Sequence, residues 1–464
     1  MIPILLIMLA VPAILLAAIA VNRRHSRKIA ILSTAITLFL TLYLLYVYLS
    51  GSILPIESYS YINALNISMG LQATPAGIIF LIISSVVLFA ASLTIGLDSK
   101  HGREAAALIL LFQIASTGLF LSTNLFLLFV FWDIGVIAMF FMIYLLGSIN
   151  RRNAAMKFLV YEIFASAMLF LGIILIYSFL GTVNIQEMLV AAQTLPQFQQ
   201  LAIFIPLLLA FLINMPVFPF HLWLPEAHTE ASTEGSMILS GVLTKFGGFG
   251  MLLLFEFLPI TKMFAPEIAA LAVISAFYSV LVMMRQKDLK KIVAYSTIVD
   301  MAIVLLALST FTGIGQEAAV MAMLAHALVV ALMFLIVGIM HKTFGERDIR
   351  LLKGTIAGSP LLSYAFIICA FSMVGLPLTV TFVAELLVFI SSYSAFGILG
   401  LLALAALAMM GAFLYFVIQK VVFDVKEAST PIDSADPLPF AAAIILLSFI
   451  FAFGIMPYLV TAIM

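Results

Sequence analysis

One cysteine, two tryptophans and 9% charged residues are all that 464 positions hold of those kinds. A soluble domain carries about 25% charged residues, whereas this chain is 65% apolar with a mean hydropathy of +1.27. Such a composition belongs to a polytopic membrane protein. The lone Cys369 lies in an apolar run, so it supplies neither a disulfide nor a thiolate metal site. Neither sign of charge is in excess, with 21 basic and 21 acidic residues, which argues against a nucleic-acid partner. Cys-x-x-Cys, Gly-x-Gly-x-x-Gly and P-loop motifs are missing, so the chain has no evident means of handling electrons or nucleotides. Any energy source must come from a partner.

Long apolar runs are abundant. Segments of about 20 residues, the length needed to cross a bilayer, are predicted at 2–21, 29–50, 78–97, 105–122, 124–147, 154–180, 200–219, 236–258, 266–284, 292–312, 316–340, 359–392, 395–423 and 438–463. The predicted fold class is all-α polytopic, with about fourteen transmembrane helices in a single membrane domain, 1–464. No basic residue precedes the first run and positive charge follows it at 22–28, the pattern of a retained span and not of a signal peptide. Alternating the loops between two faces puts Arg23, Arg24, Arg27, Lys28, Lys100, Arg103, Arg151, Arg152, Lys157, Arg285, Lys287, Lys290, Lys291, Lys342, Arg347, Arg350, Lys353, Lys420 and Lys426 on one face. Only Lys262 falls on the other, and Lys245 lies between. The positive-inside rule then makes the basic loops cytoplasmic and sends both termini outside, in an inner or plasma membrane.

Two runs contain breaks. Pro216 and Pro219 interrupt the seventh helix, and Gly375-Leu-Pro377-Leu-Thr379 interrupts a twelfth run that is too long for one straight span. A broken membrane helix frees backbone groups that lipid cannot satisfy, so it survives where protein or water covers it. If helices four to eight (105–258) and nine to thirteen (266–424) are two units of five, each break falls on the fourth helix of its unit. The odd count inverts one unit relative to the other, an architecture that places ion sites at the discontinuities. The alternative is that the prolines only relieve packing.

Six ionisable residues fall well inside predicted spans: Asp133, Glu162, Lys245, Asp300, His326 and Glu385. Each costs about 2.5–3.5 kcal/mol at a helix centre if ionised in lipid, so they should face the bundle interior and one another. At ~1.5 Å per residue, Asp133, Lys245, Asp300 and His326 sit roughly 12–15 Å deep, which suits a proton relay in the bilayer plane. Structural ion pairs are the competing explanation. His221 and His228 lie in the first break and the loop after it, beside Glu226, Glu230 and Glu234; loop ordering or proton entry suits them better than a metal. His326 and His341 are ~22 Å apart along a helix, too far to bind one haem jointly.

The run Phe218-Pro-Phe-His-Leu-Trp-Leu-Pro-Glu-Ala-His228, with Glu230-Ala231 and Gly241-Val-Leu-Thr-Lys-Phe-Gly247, resembles the antiporter-like subunits of respiratory complex I. That family includes the large subunits of Mrp-type cation/proton antiporters and of membrane-bound hydrogenases. Phe131-Trp132-Asp133, Asn153-Ala-Ala-Met-Lys157, Gln286-Lys-Asp-Leu-Lys-Lys291, Ala294-Tyr-Ser-Thr297, His326 and Gly375-Leu-Pro377 with Phe382 and Glu385 extend the resemblance from about 120 to 390. It implies that Asp133 is the fifth-helix carboxylate, Lys245 the eighth-helix lysine and Glu385 the twelfth-helix terminal group. A glutamate at that last position is similar to M-type and Mrp D-type subunits. Three positions depart from the pattern: Asp133 replaces the usual Glu, Asn214 the lysine that normally pairs with it, and Asp300 a frequent tenth-helix histidine. Loss of the lysine removes the opposite charge beside Asp133 and implies altered switching in the first half, where Glu162 is a candidate second carboxylate for sharing a proton or holding sodium.

The resulting expectation is a proton- or sodium-translocating membrane subunit of a complex I-like oxidoreductase, a hydrogenase-type complex or an Mrp-type antiporter. Ions would enter through the first half, pass Lys245 and the Asp300/His326 region, and leave near Glu385. Other membrane subunits, peripheral redox subunits and lipid are the expected partners. Iron–sulfur, flavin or nickel–iron centres belong to those partners, with no cofactor or metal in this chain. A stand-alone secondary transporter and a non-conducting scaffold are the alternatives.

Overall fold

In the computed structural model, residues 4–52, 56–62, 67–97, 101–354, 356, 359–424 and 436–463 are described. Lys100 and Lys426, expected on the basic face, lie outside them. Among the described residues, thirteen helices are long and apolar enough to cross a membrane: Ile4–Val21, Ser26–Leu49, Pro75–Leu93, Gly102–Leu121, Leu125–Leu146, Arg151–Leu180, Gln197–Asn214, Thr233–Phe257, Pro259–Met283, Leu289–Leu308, Gly313–Phe344, Ile398–Phe423 and Leu438–Ile455. Two shorter apolar helices, Pro360–Ser372 and Val380–Phe396, fill the place of the twelfth run. Counting them as one broken span gives fourteen, numbered below in chain order. Spans 3, 8 and 11 are the most enclosed and form the axis around which the others pack.

The loops sort into two groups by contact. Arg27 pairs with Asp436 at 2.8 Å, Lys157 with Glu226 at 2.7 Å and Arg347 with Asp288 at 3.4 Å, so the loops rich in Lys and Arg meet one another. At the other end, Tyr48 donates to the Ile463 carbonyl (3.3 Å) and Gln200 accepts from the Ile260 N–H (2.9 Å).

An element absent from the helical expectation stands at that second end. β1 (Ile56–Ile62) pairs antiparallel with β2 (Ile67–Gln72). The Glu57 carboxylate accepts from the Leu5 and Leu6 N–H groups at 3.1 and 3.0 Å, satisfying donors that the first turn of span 1 cannot satisfy itself.

Span 7 ends at Asn214, short of the expected 219, because the Pro216 ring cannot follow the helix without striking the carbonyl four residues back. Pro216 and Pro219 therefore lie in the turn beyond the helix. The Trp223 indole N–H caps the buried Ile213 carbonyl at 3.1 Å, and Ser275 Oγ accepts from the Phe218 N–H at 3.1 Å. The chain then makes a short helix, Leu224–Glu230, before span 8. Span 12 breaks similarly between Ser372 and Val380, with Gly375 and Leu378 both in the left-handed region at φ +78° and +74°. Gly454 of span 14 lets the Leu378 carbonyl approach its backbone, where any side chain would collide.

Several local features occur twice. Asn124 caps span 5 and bridges Asn184, while Asp288 caps span 10 and bridges Asp348. The intervening long helices, spans 6 and 11, both end on a left-handed glycine, Gly181 and Gly345. A π-helical turn lies at Leu239–Leu243 in span 8 and at Gln419–Phe423 in span 13.

Candidate ion-translocation site

Span 8 carries the fully buried Lys245. A π turn lies just before it, and Lys245 Nζ donates to the Ser240 carbonyl within that turn at 2.6 Å. Thr244 Oγ1 accepts from Nζ at 3.2 Å, and His326 Nδ1 of span 11 completes the contacts. A wide turn of this kind is uncommon in helices and is frequently found at functional sites. Ser240 is itself tied to span 10 by a 2.7 Å hydrogen bond to Thr297.

His326 continues the chain of polar groups. Its Nε2 lies 3.9 Å from Asp300 Oδ2, too long for a direct hydrogen bond and short enough for one water or a small side-chain shift to join them. If Lys245 Nζ donates to Nδ1, a neutral ring carries its proton on Nε2, directed toward Asp300. Asp300, His326 and Glu385 line one cavity of about 30 Å³ of water-accessible space, room for about two waters. Lys245, His326, Asp300 and Glu385 thus form one polar line across spans 8, 11, 10 and 12.

Glu385 sits against the span-12 break. A Cβ at Gly375 would come within 2.6 Å of Glu385 Oε2, and the glycine already occupies a backbone region that costs other residues roughly 1–2 kcal/mol. Gly375→Ala is therefore expected to lower the thermal unfolding midpoint of the detergent-solubilised protein and to displace the carboxylate. An unchanged midpoint would show that the break does not need glycine there.

A second cluster lies in the first half. Glu162 of span 6 and Asn214 at the end of span 7 are fully buried, and Asn214 Nδ2 donates to both Glu162 oxygens at 3.1 and 3.3 Å. The Asn214 carbonyl oxygen accepts from the Gly247 N–H at 2.8 Å, two residues beyond Lys245. Asp133 accepts from Ser166 Oγ at 2.6 Å and is near enough to Glu162 for their charges to interact. The six titratable residues read from the sequence therefore fall into two groups. Asn214 does not contact Asp133 as the absent lysine was expected to; it binds Glu162 instead.

The histidines of the first break are buried on aromatic rings. His221 packs against Tyr278 at 5.1 Å between ring centres, and His228 stacks on Phe334 at 4.4 Å. Burial, followed by the Lys157 charge, lowers the His221 imidazole to about 4. Burial, then Lys290 and Lys245, holds His228 well below the usual imidazole range. The nearby carboxylates point elsewhere: Glu226 to Lys157, and Glu230 to Ser148 Oγ (2.6 Å) and the Asn150 N–H (2.9 Å). Among the described residues no group of three His, Cys, Asp or Glu is disposed to hold a metal. Ser166 and Ser240 were not singled out from the sequence, and Thr297 entered there only as the end of a motif. Hydroxyl residues beside a lone buried lysine, such as Ser240 and Thr244, are the signal that could have found two of the contacts.

Comparison with known proteins bears on the family and the fold. Residues 122–411 match the family described as NADH:quinone oxidoreductase/Mrp antiporter, transmembrane. NADH-quinone oxidoreductase subunit M of Rickettsia typhi is 32% identical over 370 residues, covering 79% of this chain and 75% of the relative. NAD(P)H-quinone oxidoreductase chain 4 1 of Picosynechococcus is 28% identical over 419 residues, covering 87% and 78%. Among solved structures, the fold is similar to a chain of respiratory complex I from Thermus thermophilus with bound NADH, with a TM-score of 0.90, 21% identity and coverage of 99% and 98%. A chain of the membrane-bound sulfane sulfur reductase, an archaeal respiratory membrane complex, superposes with a TM-score of 0.88 at 26% identity, covering 100% and 77%. A chain of the Mrp complex from Dietzia gives 0.87 at 19%, covering 100% and 96%. The chain belongs to the NADH:quinone oxidoreductase/Mrp antiporter transmembrane family, as an antiporter-type membrane subunit similar to subunit M.

Proposed function

We propose that this subunit translocates protons, with sodium as the other candidate ion, through the buried line Lys245–His326–Asp300–Glu385. The observation that carries the reading is a fully buried lysine Nζ hydrogen-bonded to an imidazole whose second nitrogen lies 3.9 Å from a carboxylate oxygen. Imidazole takes a proton on one nitrogen and releases one from the other, so His326 can pass a proton between Lys245 and Asp300 without moving far. Waters in the adjoining cavity extend that transfer to Glu385. Isolated charges in a membrane core are costly and mark ion pathways, and four such groups meeting across four spans fit a pathway better than unrelated packing pairs do.

Ions enter the first half near Asp133, Glu162 and Asn214, with His221 and His228 as candidate entry groups at the break. Two inverted units, 105–258 and 266–424, account for the paired caps, bridges, terminal glycines, π turns and broken spans. In this reading the basic loops face the cytoplasm and both termini lie outside. The chain works within a complex I-like oxidoreductase, a hydrogenase-type respiratory complex or an Mrp-type antiporter. Neighbouring membrane subunits, and peripheral subunits with iron–sulfur, flavin or nickel–iron centres, supply the driving force. A stand-alone transporter predicts function without partners, and a scaffold predicts indifference to the buried charges.

Glu385→Gln tests the pathway. In sealed membrane vesicles carrying the assembled complex, this isosteric change is expected to reduce driven ion transport by about tenfold or more, the low end being below what a proton-transfer group typically contributes. Transport at the wild-type rate with normal assembly would favour the scaffold.

A further inference from the structure

At the end of the molecule opposite the basic loops lies a cavity of about 280 Å³ that lines none of the path above. Gln72, Thr123, Gln186 and Gln316 contribute polar groups to it, and Glu256 is the charged residue among the described residues that line it. Carboxylate, carboxamide and hydroxyl oxygens suit a hydrated monovalent cation or a proton-carrying water. A carboxylate at such a mouth also raises the local cation concentration.

Helix geometry joins this cavity to the central lysine. Lys245, Phe249, Leu252 and Glu256 follow one another at i+4, i+3 and i+4 and share one face of span 8. Glu256 is about 16 Å along the axis from Lys245 at ~1.5 Å per residue. On span 11, Gln316, Met323 and His326 follow at i+7 and i+3 on one face. The Met323 thioether fills the space a side chain at Gly248 would need, so the two faces meet. One seam therefore has Lys245–His326 at its inner end and Glu256–Gln316 at its mouth. Between them stand Phe249, Leu252 and Met323. The Phe249 ring is held edge-on to Phe80 and Phe120 at 5.1 and 5.5 Å, and those two rings stack at 5.1 Å.

We propose that this seam is a half-channel for protons or monovalent cations, opening on the face opposite the basic loops and closed in this structure by an apolar gate of Phe249, Leu252 and Met323. Apolar constrictions close pores by excluding water, and a modest widening wets them. The inference rests on Lys245 belonging to the translocation path. It adds a second access to that lysine, separate from the Asp300–Glu385 branch. A gate at this position keeps the lysine from opening to both faces at once.

The test uses the assembled complex in sealed vesicles without a driving reaction. Phe249→Ala is expected to raise passive proton leak under an imposed pH gradient by about tenfold or more, equivalent to removing about 1.4 kcal/mol from the barrier. Adding Glu256→Gln should return that leak toward the wild-type level, which a merely loosened fold would not do. Met323→Ala opens the other side of the gate and gives the same readout if Phe249→Ala fails to assemble. In a Cys369→Ala background, Glu256→Cys should react with a small membrane-impermeant thiol reagent whether or not Phe249 is present. Met323→Cys should react only once Phe249 is Ala. An assembled Phe249→Ala complex with no added leak and an unreactive Met323→Cys overturns the half-channel and leaves the Lys245 path standing. Driven transport that survives Lys245→Ala overturns the path itself.

Discussion

Lys245→Ala is expected to cut driven ion transport by about 100-fold or more, because the side chain is the hinge of the polar line and proton-transfer groups contribute on the order of 10²–10⁴. The ammonium holds three contacts at once: the Ser240 carbonyl, Thr244 Oγ1 and His326 Nδ1. Alanine leaves His326 with no donor on Nδ1, and the imidazole loses the cue that fixes its tautomer toward Asp300. A cavity also forms where a fully buried side chain was, so loss of transport by itself would be ambiguous. Lys245→Met separates the causes, since methionine is flexible enough to fill the space and cannot carry a proton. If both variants assemble and both stop transport, the charge is responsible. If Lys245→Met pumps normally, the lysine serves packing and the pathway proposal fails.

Much of this arrangement was readable from the chain, and the rest failed for identifiable reasons. Span count and the pairing of basic loops followed from apolar run length and charge, quantities that the bilayer itself selects. Gly375 and Pro377 located the second break within a few residues, because the run that holds them is too long for one straight span and proline cannot continue a helix. The strand pair at 56–62 and 67–72 has no place in that expectation, although Ser58-Tyr-Ser-Tyr61 alternates in a strand-like manner. A search for runs of about 20 apolar residues is blind to it. Depth along each helix put Asp133, Lys245, Asp300 and His326 at one level, but depth carries no information about which way a helix is turned. The rotation of spans 5 and 6 brings Asp133 toward Ser166 and Glu162, whereas Lys245 turns to span 11. The same limit explains Asn214. Its missing charge was evident, and its partner was not, since identifying Glu162 requires knowing how span 7 ends against span 6.

Asn214→Lys should turn the amide–carboxylate contact with Glu162 into a buried ion pair and change ion transport in the first half by several-fold. The native amide donates to both Glu162 oxygens and accepts from the Gly247 N–H, so it links spans 6, 7 and 8 without a full charge. Lysine keeps the first link, strengthens it electrostatically, and gives up the second because an ammonium accepts nothing. The Gly247 N–H is then left without its acceptor beside Lys245, at a cost of about 1–3 kcal/mol. The pairing itself is measurable by a double-mutant cycle. Glu162→Ala in the native background removes one acceptor from a neutral amide, whereas in the Asn214→Lys background it strands a buried ammonium, a loss of about 3–5 kcal/mol. The cycle should therefore show strong coupling in unfolding midpoints, with the double variant far less stable than the sum of the singles. Additive midpoints would mean that the lysine reaches a partner other than Glu162. Unchanged transport in Asn214→Lys, with the complex assembled, would remove the first-half cluster from the ion path and confine translocation to Lys245, His326, Asp300 and Glu385.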